Sequence, residues 1–250
     1  MSDFKDHFSG QSPDYAAFRP RYPDDFIARI AALAEFKDCV WDVGTGSGQA
    51  AVPLAGVFQS VRASDASAQQ IAHAAKHVRV EYRVARETDS GLPDASVDLV
   101  TVAQALHWFD LPAFYREVKR VLKPTGVLAV WTYNNAVVDD PVVQPIYQTF
   151  YEQRVGRYWP PERVHVLCGY RDLPFPFAEQ PFEDMKTDAL LTRDELLGYV
   201  KTWSAVKNAR EIEGKDPVPE LASSLAAVWP EGVRKRVTWP LHTRVGGLPS

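Results

Sequence analysis

Three glycines at alternate positions, Gly44, Gly46 and Gly48, follow a carboxylate in the segment Val40-Trp41-Asp42-Val43-Gly44-Thr45-Gly46-Ser47-Gly48-Gln49-Ala50-Ala51. A residue without a Cβ turns tightly at positive φ and lets the main chain come close to a ligand, so this spacing predicts a binding turn. Glycine-rich turns that open a helix usually hold phosphate through free N–H groups. The P-loop form requires Gly-Lys-Ser/Thr at its end, whereas here Gly48 is followed by Gln49-Ala50, so no lysine reaches a phosphate. The dinucleotide form G-x-G-x-x-G/A fits only loosely over Gly46–Ala51 and leaves Asp42 and one glycine unexplained. A carboxylate at that strand end would oppose a pyrophosphate and attract an amine or a sulfonium.

Other residues could also do chemistry. Asp65 closes Val57–Asp65, which reads as a second short strand, at about the distance beyond the glycines where such folds place a ribose-binding acid. Its oxygens can accept from both hydroxyls of a diol, and the competing role is an N-cap for a helix over Ala66–His77. His107 lies in Gln104-Ala105-Leu106-His107-Trp108-Phe109-Asp110, directly after a strand-like run, where a general base would sit. His73 and His77 are one helical turn apart but lack a third ligand, so no metal is expected. Ser47 is one position off the G-x-S-x-G elbow, which leaves a hydrolase without its nucleophile.

The elements that must position these groups alternate between strand and helix. A helix around Asp25–Glu35 precedes strands ending at Val43, Asp65 and Glu87. Leu92-Pro93-Asp94 then turns into Val97–Ala103, a continuous apolar run expected of a central parallel strand, and Val127–Tyr133 supplies a fifth strand. In such a sheet the carboxyl ends of the strands carry the ligand. Asn134 to about Pro181, rich in Pro, Tyr, Phe and Trp, reads as an insertion over the sheet edge. Phe182–Asp188 returns as strand six, Thr192-Arg193-Asp194-Glu195 opens a helix with a capping box that continues through Trp203, and Arg236–Thr243 is the last strand. Pro240 suits an edge or a bulge better than a central strand.

The acidic-x-Gly-x-Gly-x-Gly pattern at Asp42, Gly44, Gly46 and Gly48 resembles the cofactor motif of class I S-adenosylmethionine-dependent methyltransferases. The aromatic and arginine-rich leader Phe8-Ser9-Gly10 and Tyr15–Pro23 resembles that of the type 11 group, which includes the trans-aconitate methyltransferases. The resemblance implies a Rossmann-like, seven-stranded, mostly parallel α/β sheet with helices on both faces and a cap insertion. Residues 1–250 would form one methyltransferase domain, with 1–23 as a cofactor lid and 134–181 as a substrate cap. It implies S-adenosylmethionine as cofactor, held by Asp42, Gly44, Thr45, Gly46, Gly48 and Asp65, with Gln104 beside them. Arg19 would pair with the methionyl carboxylate, with Tyr15 beside it. Adenine would border Ala85, Arg86 and Glu87, although the order Ala85-Arg86-Glu87 departs from the family's Ala-Glu pair. His107, Trp108, Trp131, Tyr133 and Trp203 are the expected substrate-pocket residues, with Tyr151 and Trp159 as further wall candidates. A carboxylate acceptor would need no base, and a phenol or alcohol would call on His107.

Composition narrows the partners. A net charge of −4 and a pI near 5.9 argue against a nucleic-acid substrate and leave a small molecule. Cys39 and Cys168 make neither a disulfide framework nor a metal site. No apolar stretch is long enough to span a bilayer, and Met1–His7 lacks a signal-peptide core, so the expected compartment is cytoplasmic. The oligomeric state is left open. Two other classes remain: an NAD-type oxidoreductase, and a non-catalytic S-adenosylmethionine-binding protein.

Overall fold

The computed structural model describes residues 18–249. Tyr15, Phe8 and most of the expected lid lie outside that range. Strands β1 (Cys39–Val43), β2 (Ser60–Asp65), β3 (Val80–Val84), β4 (Val97–Ala103) and β5 (Leu122–Tyr133) form the parallel half of one sheet in the order β3-β2-β1-β4-β5. β4 has the limits its apolar run predicts, and six of its seven residues are buried. β3 is the edge strand and is correspondingly exposed.

The sheet closes on β9 (Lys235–Gly247), which runs antiparallel beside β5. On its far side it pairs with β8 (Met185–Leu191) and with the short β7 (Ala178–Gln180). The two-residue β6 (Val137–Val138) continues the β5 side. Nine strands therefore take part, the expected seven plus these two short ones. Strand six begins three residues later than Phe182 predicts, and the last strand is longer at both ends than Arg236–Thr243.

Pro240 is interior to β9 and not on an edge strand. The main-chain groups of Pro240 face the interval between Tyr133 and Val137, where the neighbouring chain leaves the ladder. Its carbonyl accepts from Asn134 N there at 2.9 Å. The missing N–H therefore falls where the ladder is interrupted, which is how a central strand tolerates the ring.

Helices cover both faces, and capping marks several starts. α1 (Asp24–Ala32) buries Phe26, Ile27, Ile30 and Ala31 against the sheet. α2 is the single turn Ala51–Leu54 after the glycine segment. α3 (Ala68–His73) is shorter than the expected Ala66–His77, and its N-cap is Ser67, which accepts from Gln70 N; Asp65 is not the cap. α4 (Leu111–Val121) is capped by Asp110 and buries Phe114, Tyr115, Val118 and Val121, one stripe of an amphipathic helix. The insertion contributes α5 (Val143–Thr149), a π-helical turn over Phe150–Arg154, a 3-10 turn over Gly156–Tyr158 and α6 (Arg163–Leu167). α7 (Arg193–Lys201) has the expected capping box between Thr192 and Glu195 but stops before Trp203, which instead caps α8 (Ser204–Glu213). α9 (Val218–Ala226) packs against α7 and α5.

Side-chain parity divides the core into two layers. On β5, Leu128 and Val130 join Trp41, Val43 and Phe114 on one face, while Val127, Ala129, Trp131 and Tyr133 join Phe26 and Ile30 on the other. Trp131, expected in the substrate pocket, is therefore a core residue. It is fully buried and edge-on to Tyr22 and Phe26, each at 5.4 Å between ring centroids. The same contact makes Tyr22 part of the core, so the expected lid does not extend cleanly to residue 23.

Candidate active site

The carboxyl ends of β1, β2, β4 and β5 meet at one edge of the sheet, and two adjoining cavities open there among the described residues. The first occupies about 1040 Å³, counting its open mouth. The main chain from Gly44 to Ser47 forms its floor, with Asp65, Ala85–Glu87, Gln104, Trp108, Phe109, Tyr133 and Arg19 around it. The second is lined by Arg19, Gln104, His107, Trp108, Tyr133, Trp159, Arg163, Tyr199 and Trp203 among others. Arg19, Gln104, Trp108 and Tyr133 line both, so they mark the junction.

The turn's shape follows from close packing. A Cβ on Gly44, which has φ +66°, would lie 2.6 Å from the Cβ of Ala105 on the β4 exit. Gly46 has φ +55° and donates its N–H to Asp65 Oδ2 at 2.9 Å. The other Asp65 oxygen accepts from Ser67 N at 2.8 Å, so the carboxylate is fixed in place by main-chain donors. Gly48 does not line the cavity. A side chain there would collide with the Tyr82 hydroxyl, which donates to Ala75 O at 2.7 Å.

Asp42 does not line the cavity either, a correction to the expectation that it faces the ligand. It is fully buried beneath the turn, where Thr45 Oγ1 donates to it at 2.6 Å and Thr101 Oγ1 at 2.7 Å. Thr101 is its register partner on β4, so the carboxylate ties turn to sheet. Burial raises its pKa to about 6, the two hydroxyls oppose that rise, and the charge of Asp65 adds to it.

A carboxyl whose pKa is raised on folding binds its proton more tightly in the native state. Stability is then lost as pH rises from the ordinary carboxylate range to about 6, by on the order of 3 kcal/mol at most. The melting temperature of the ligand-free protein should therefore decline over that window relative to Asp42→Asn and run parallel above it. Curves that stay parallel from pH 4 to 8 would show that the buried carboxyl titrates normally.

Gln104 stands at the end of β4 with φ +57°, a strained conformation for a residue with a side chain. Its amide oxygen accepts from Thr132 Oγ1 at 2.6 Å and from Tyr133 N at 2.8 Å. The side chain thus splints β5 while its main chain faces the cavities. Glu87 is nearly buried, and its Oε1 accepts from Asp110 N at 3.2 Å. Arg19 donates to the Tyr133 hydroxyl at 2.6 Å and to Thr202 O at 3.1 Å, which brings the N-terminal segment to the junction.

His107 lines the second cavity only. Its Nδ1 is 2.8 Å from the Tyr170 hydroxyl, and burial pushes its pKa down to about 3, with the charges of Arg163 and His165 adding to the effect. Burial thus favours the neutral ring and makes it a weak base. Trp203 does line the second cavity, within a cluster holding Tyr147, Tyr151, Trp159 and Tyr199 at centroid distances of 5.2–5.7 Å. Arg163 was not read from the sequence as a site residue. It belongs to no motif, and only its neighbourhood to Tyr158-Trp159-Pro160-Pro161 hinted at it.

The residues of the first cavity suit a nucleoside ligand. Its floor is an open cradle that a Cβ at Gly44 would distort, Asp65 presents a pre-positioned carboxylate, and the glycine turn leads into a helix of only four residues. Among the described residues no helix is long and apolar enough to cross a membrane.

Comparison with known proteins agrees with this geometry. The model of the type 11 methyltransferase domain family matches residues 41–130. A methyltransferase-family protein of Dictyostelium discoideum is 36% identical over 225 residues, covering 89% of this chain and 86% of that protein. A methyltransferase of Aspergillus aculeatus is 32% identical over 142 residues, which is 54% of this chain and 46% of that protein. Among solved structures, a type II methyltransferase-family protein from Anaeromyxobacter dehalogenans is 44% identical, with a TM-score of 0.86 over 93% of this chain and 99% of that one.

Proposed function

The chain belongs to the class I S-adenosylmethionine-dependent methyltransferases of the type 11 family, and on that premise we propose that it methylates an oxygen of a small acceptor. The observation that carries this reading is the pair of cavities meeting at Arg19, Gln104, Trp108 and Tyr133, one holding the glycine turn and Asp65 and the other walled by aromatic rings. Bound in the first cavity, S-adenosylmethionine would supply an electrophilic sulfonium methyl. Asp65 would accept from the ribose hydroxyls, main-chain groups of Ala85 and Arg86 would border the adenine, and Arg19 at the junction would face the methionyl carboxylate. Asp42 and Gly48 would act indirectly, by shaping the turn.

Catalysis would then rest on holding the acceptor in line at the junction, away from water, which can lower the barrier of a direct displacement by several kcal/mol. The insertion over residues 134–181 serves as the substrate cap in this reading, because Trp159, Pro160 and Arg163 come from it. The described lining of the second cavity holds no carboxylate, and its histidine is a weak base. The acceptor oxygen should therefore lose its proton in solution, as a carboxylate or an acidic hydroxyl does.

Calorimetry with S-adenosylhomocysteine and NADH tests the cofactor assignment. S-adenosylhomocysteine should bind and NADH should not, and tighter binding of NADH would overturn the reading. Once an acceptor is found, wild type and His107→Asn should share one pH–rate profile between about pH 5.5 and 8.5, since His107 does not titrate there. A limb near pH 6.5 that disappears in His107→Asn would reinstate the histidine as a base.

A further inference from the structure

We propose that the second cavity selects an acceptor with a planar apolar body and a carboxylate held by Arg163, the carboxylate serving as a handle and not as the methylated group. The proposal rests on the reading of the first cavity as the cofactor site.

The charges in the two cavities are distributed unequally. The first contains Asp65 and Glu87 beside its arginines, whereas the described lining of the second contains Arg19 and Arg163 and no carboxylate. Arg163 is half-buried and makes no ion pair among the described residues; its guanidinium donates to the Tyr151 hydroxyl at 3.3 and 3.2 Å and stacks 4.5 Å from the Trp159 ring centroid. Other arginines of the chain show the usual alternative: Arg154, Arg120 and Arg244 are each paired with glutamate. A half-buried guanidinium without a counter-charge carries a desolvation cost that an anionic ligand would relieve. Neutral His107 offers no compensation, and Trp159, in the same wall, has its indole N–H buried without an acceptor among the described residues.

The ring stack fixes the plane of the Arg163 fork, and a planar fork matches a carboxylate. Trp108, Tyr133, Trp159, Tyr199 and Trp203 supply flat apolar walls for the rest of the acceptor. Arg163 and Trp159 line only the second cavity, while methyl transfer must occur at the junction. A carboxylate on Arg163 is thus turned away from the transferred methyl.

The test is calorimetry on the full chain saturated with S-adenosylhomocysteine, using benzoate, 2-hydroxybenzoate and 1-naphthoate against their primary amides. In the wild type at least one acid should bind about tenfold or more tightly than its amide. Arg163→Gln should abolish that preference, and Arg163→Lys, which keeps a point charge without the fork, should retain part of it. Both variants should bind S-adenosylhomocysteine as the wild type does, which shows them folded. Benzoate should bind without becoming methyl benzoate in the presence of S-adenosylmethionine. Equal affinity for acids and amides, no binding of any acid, an acid preference that survives in Arg163→Gln, or formation of methyl benzoate would each overturn the proposal while S-adenosylhomocysteine still binds. A wild type that fails to bind S-adenosylhomocysteine would instead strike the cofactor reading beneath it.

Discussion

Asp65→Ala is expected to weaken S-adenosylhomocysteine binding about 10²-fold. Hydrogen bonds to a charged acceptor contribute roughly 1.5–3 kcal/mol each, and losing two to the ribose at the lower figure gives that factor. Both Asp65 oxygens already accept a main-chain N–H, from Gly46 and from Ser67, so the carboxylate is oriented before any ligand arrives. The same bonds mean that the variant also loses stability, because the Gly46 N–H is left without its acceptor. Two readouts separate the effects: calorimetry for affinity and thermal denaturation without ligand for the fold. Asp65→Asn, which keeps one acceptor oxygen, should fall between. If Asp65→Ala lowers the melting temperature and binds the cofactor product normally, Asp65 only braces the turn.

Gly44→Ala should have an effect of similar size by a different route. Positive φ costs an L-residue about 1–2 kcal/mol, and the added Cβ would meet the Cβ of Ala105 at 2.6 Å. Ala105 has no rotamer to move, so the turn or the β4 exit must shift as a main-chain unit. That movement displaces the cavity floor and Gly46 with it. We expect a loss of about 3 kcal/mol in stability, roughly 6–12 °C in melting temperature, together with loss of detectable S-adenosylhomocysteine binding. Ala105→Gly in the same chain removes the clash but not the φ strain, and should restore part of both. A Gly44→Ala protein with wild-type melting and affinity would mean that the turn relaxes without cost and that the glycine is not required there.

Much of the fold could be read from local pattern because its causes are local. Val97–Ala103 is bounded by a turn on one side and Gln104 on the other, and a central parallel strand buries every position, so its run of apolar residues marks both ends. The capping box at Thr192 and Glu195 is likewise completed within four residues. α3 starts later than Ala66 because Ser67 competes with Asp65 for the cap, and both types suit it. The interior place of Pro240 is not legible locally, because its tolerance depends on Asn134, more than a hundred residues earlier, leaving the ladder opposite it.

The sequence by itself determined the glycine turn, the acid that ends β2 and the succession of five strands along the chain, and parallel strands bring their carboxyl ends to one edge wherever the chain between them goes. Only the tertiary structure decided which side chains face the cavities. Trp131 and Tyr133 share one face of β5, yet the first is sealed by Tyr22 and Phe26 while the second extends past the strand end to meet Arg19. Asp42 carries the motif's charge, but two threonine hydroxyls hold it under the turn, and one of them comes from β4. Arg163 has no motif at all; its guanidinium reaches the second cavity because Tyr151 and Trp159 hold it there. Strand and turn propensities act over a few residues and are written locally, whereas a cavity wall is made by segments that meet only after the chain has folded.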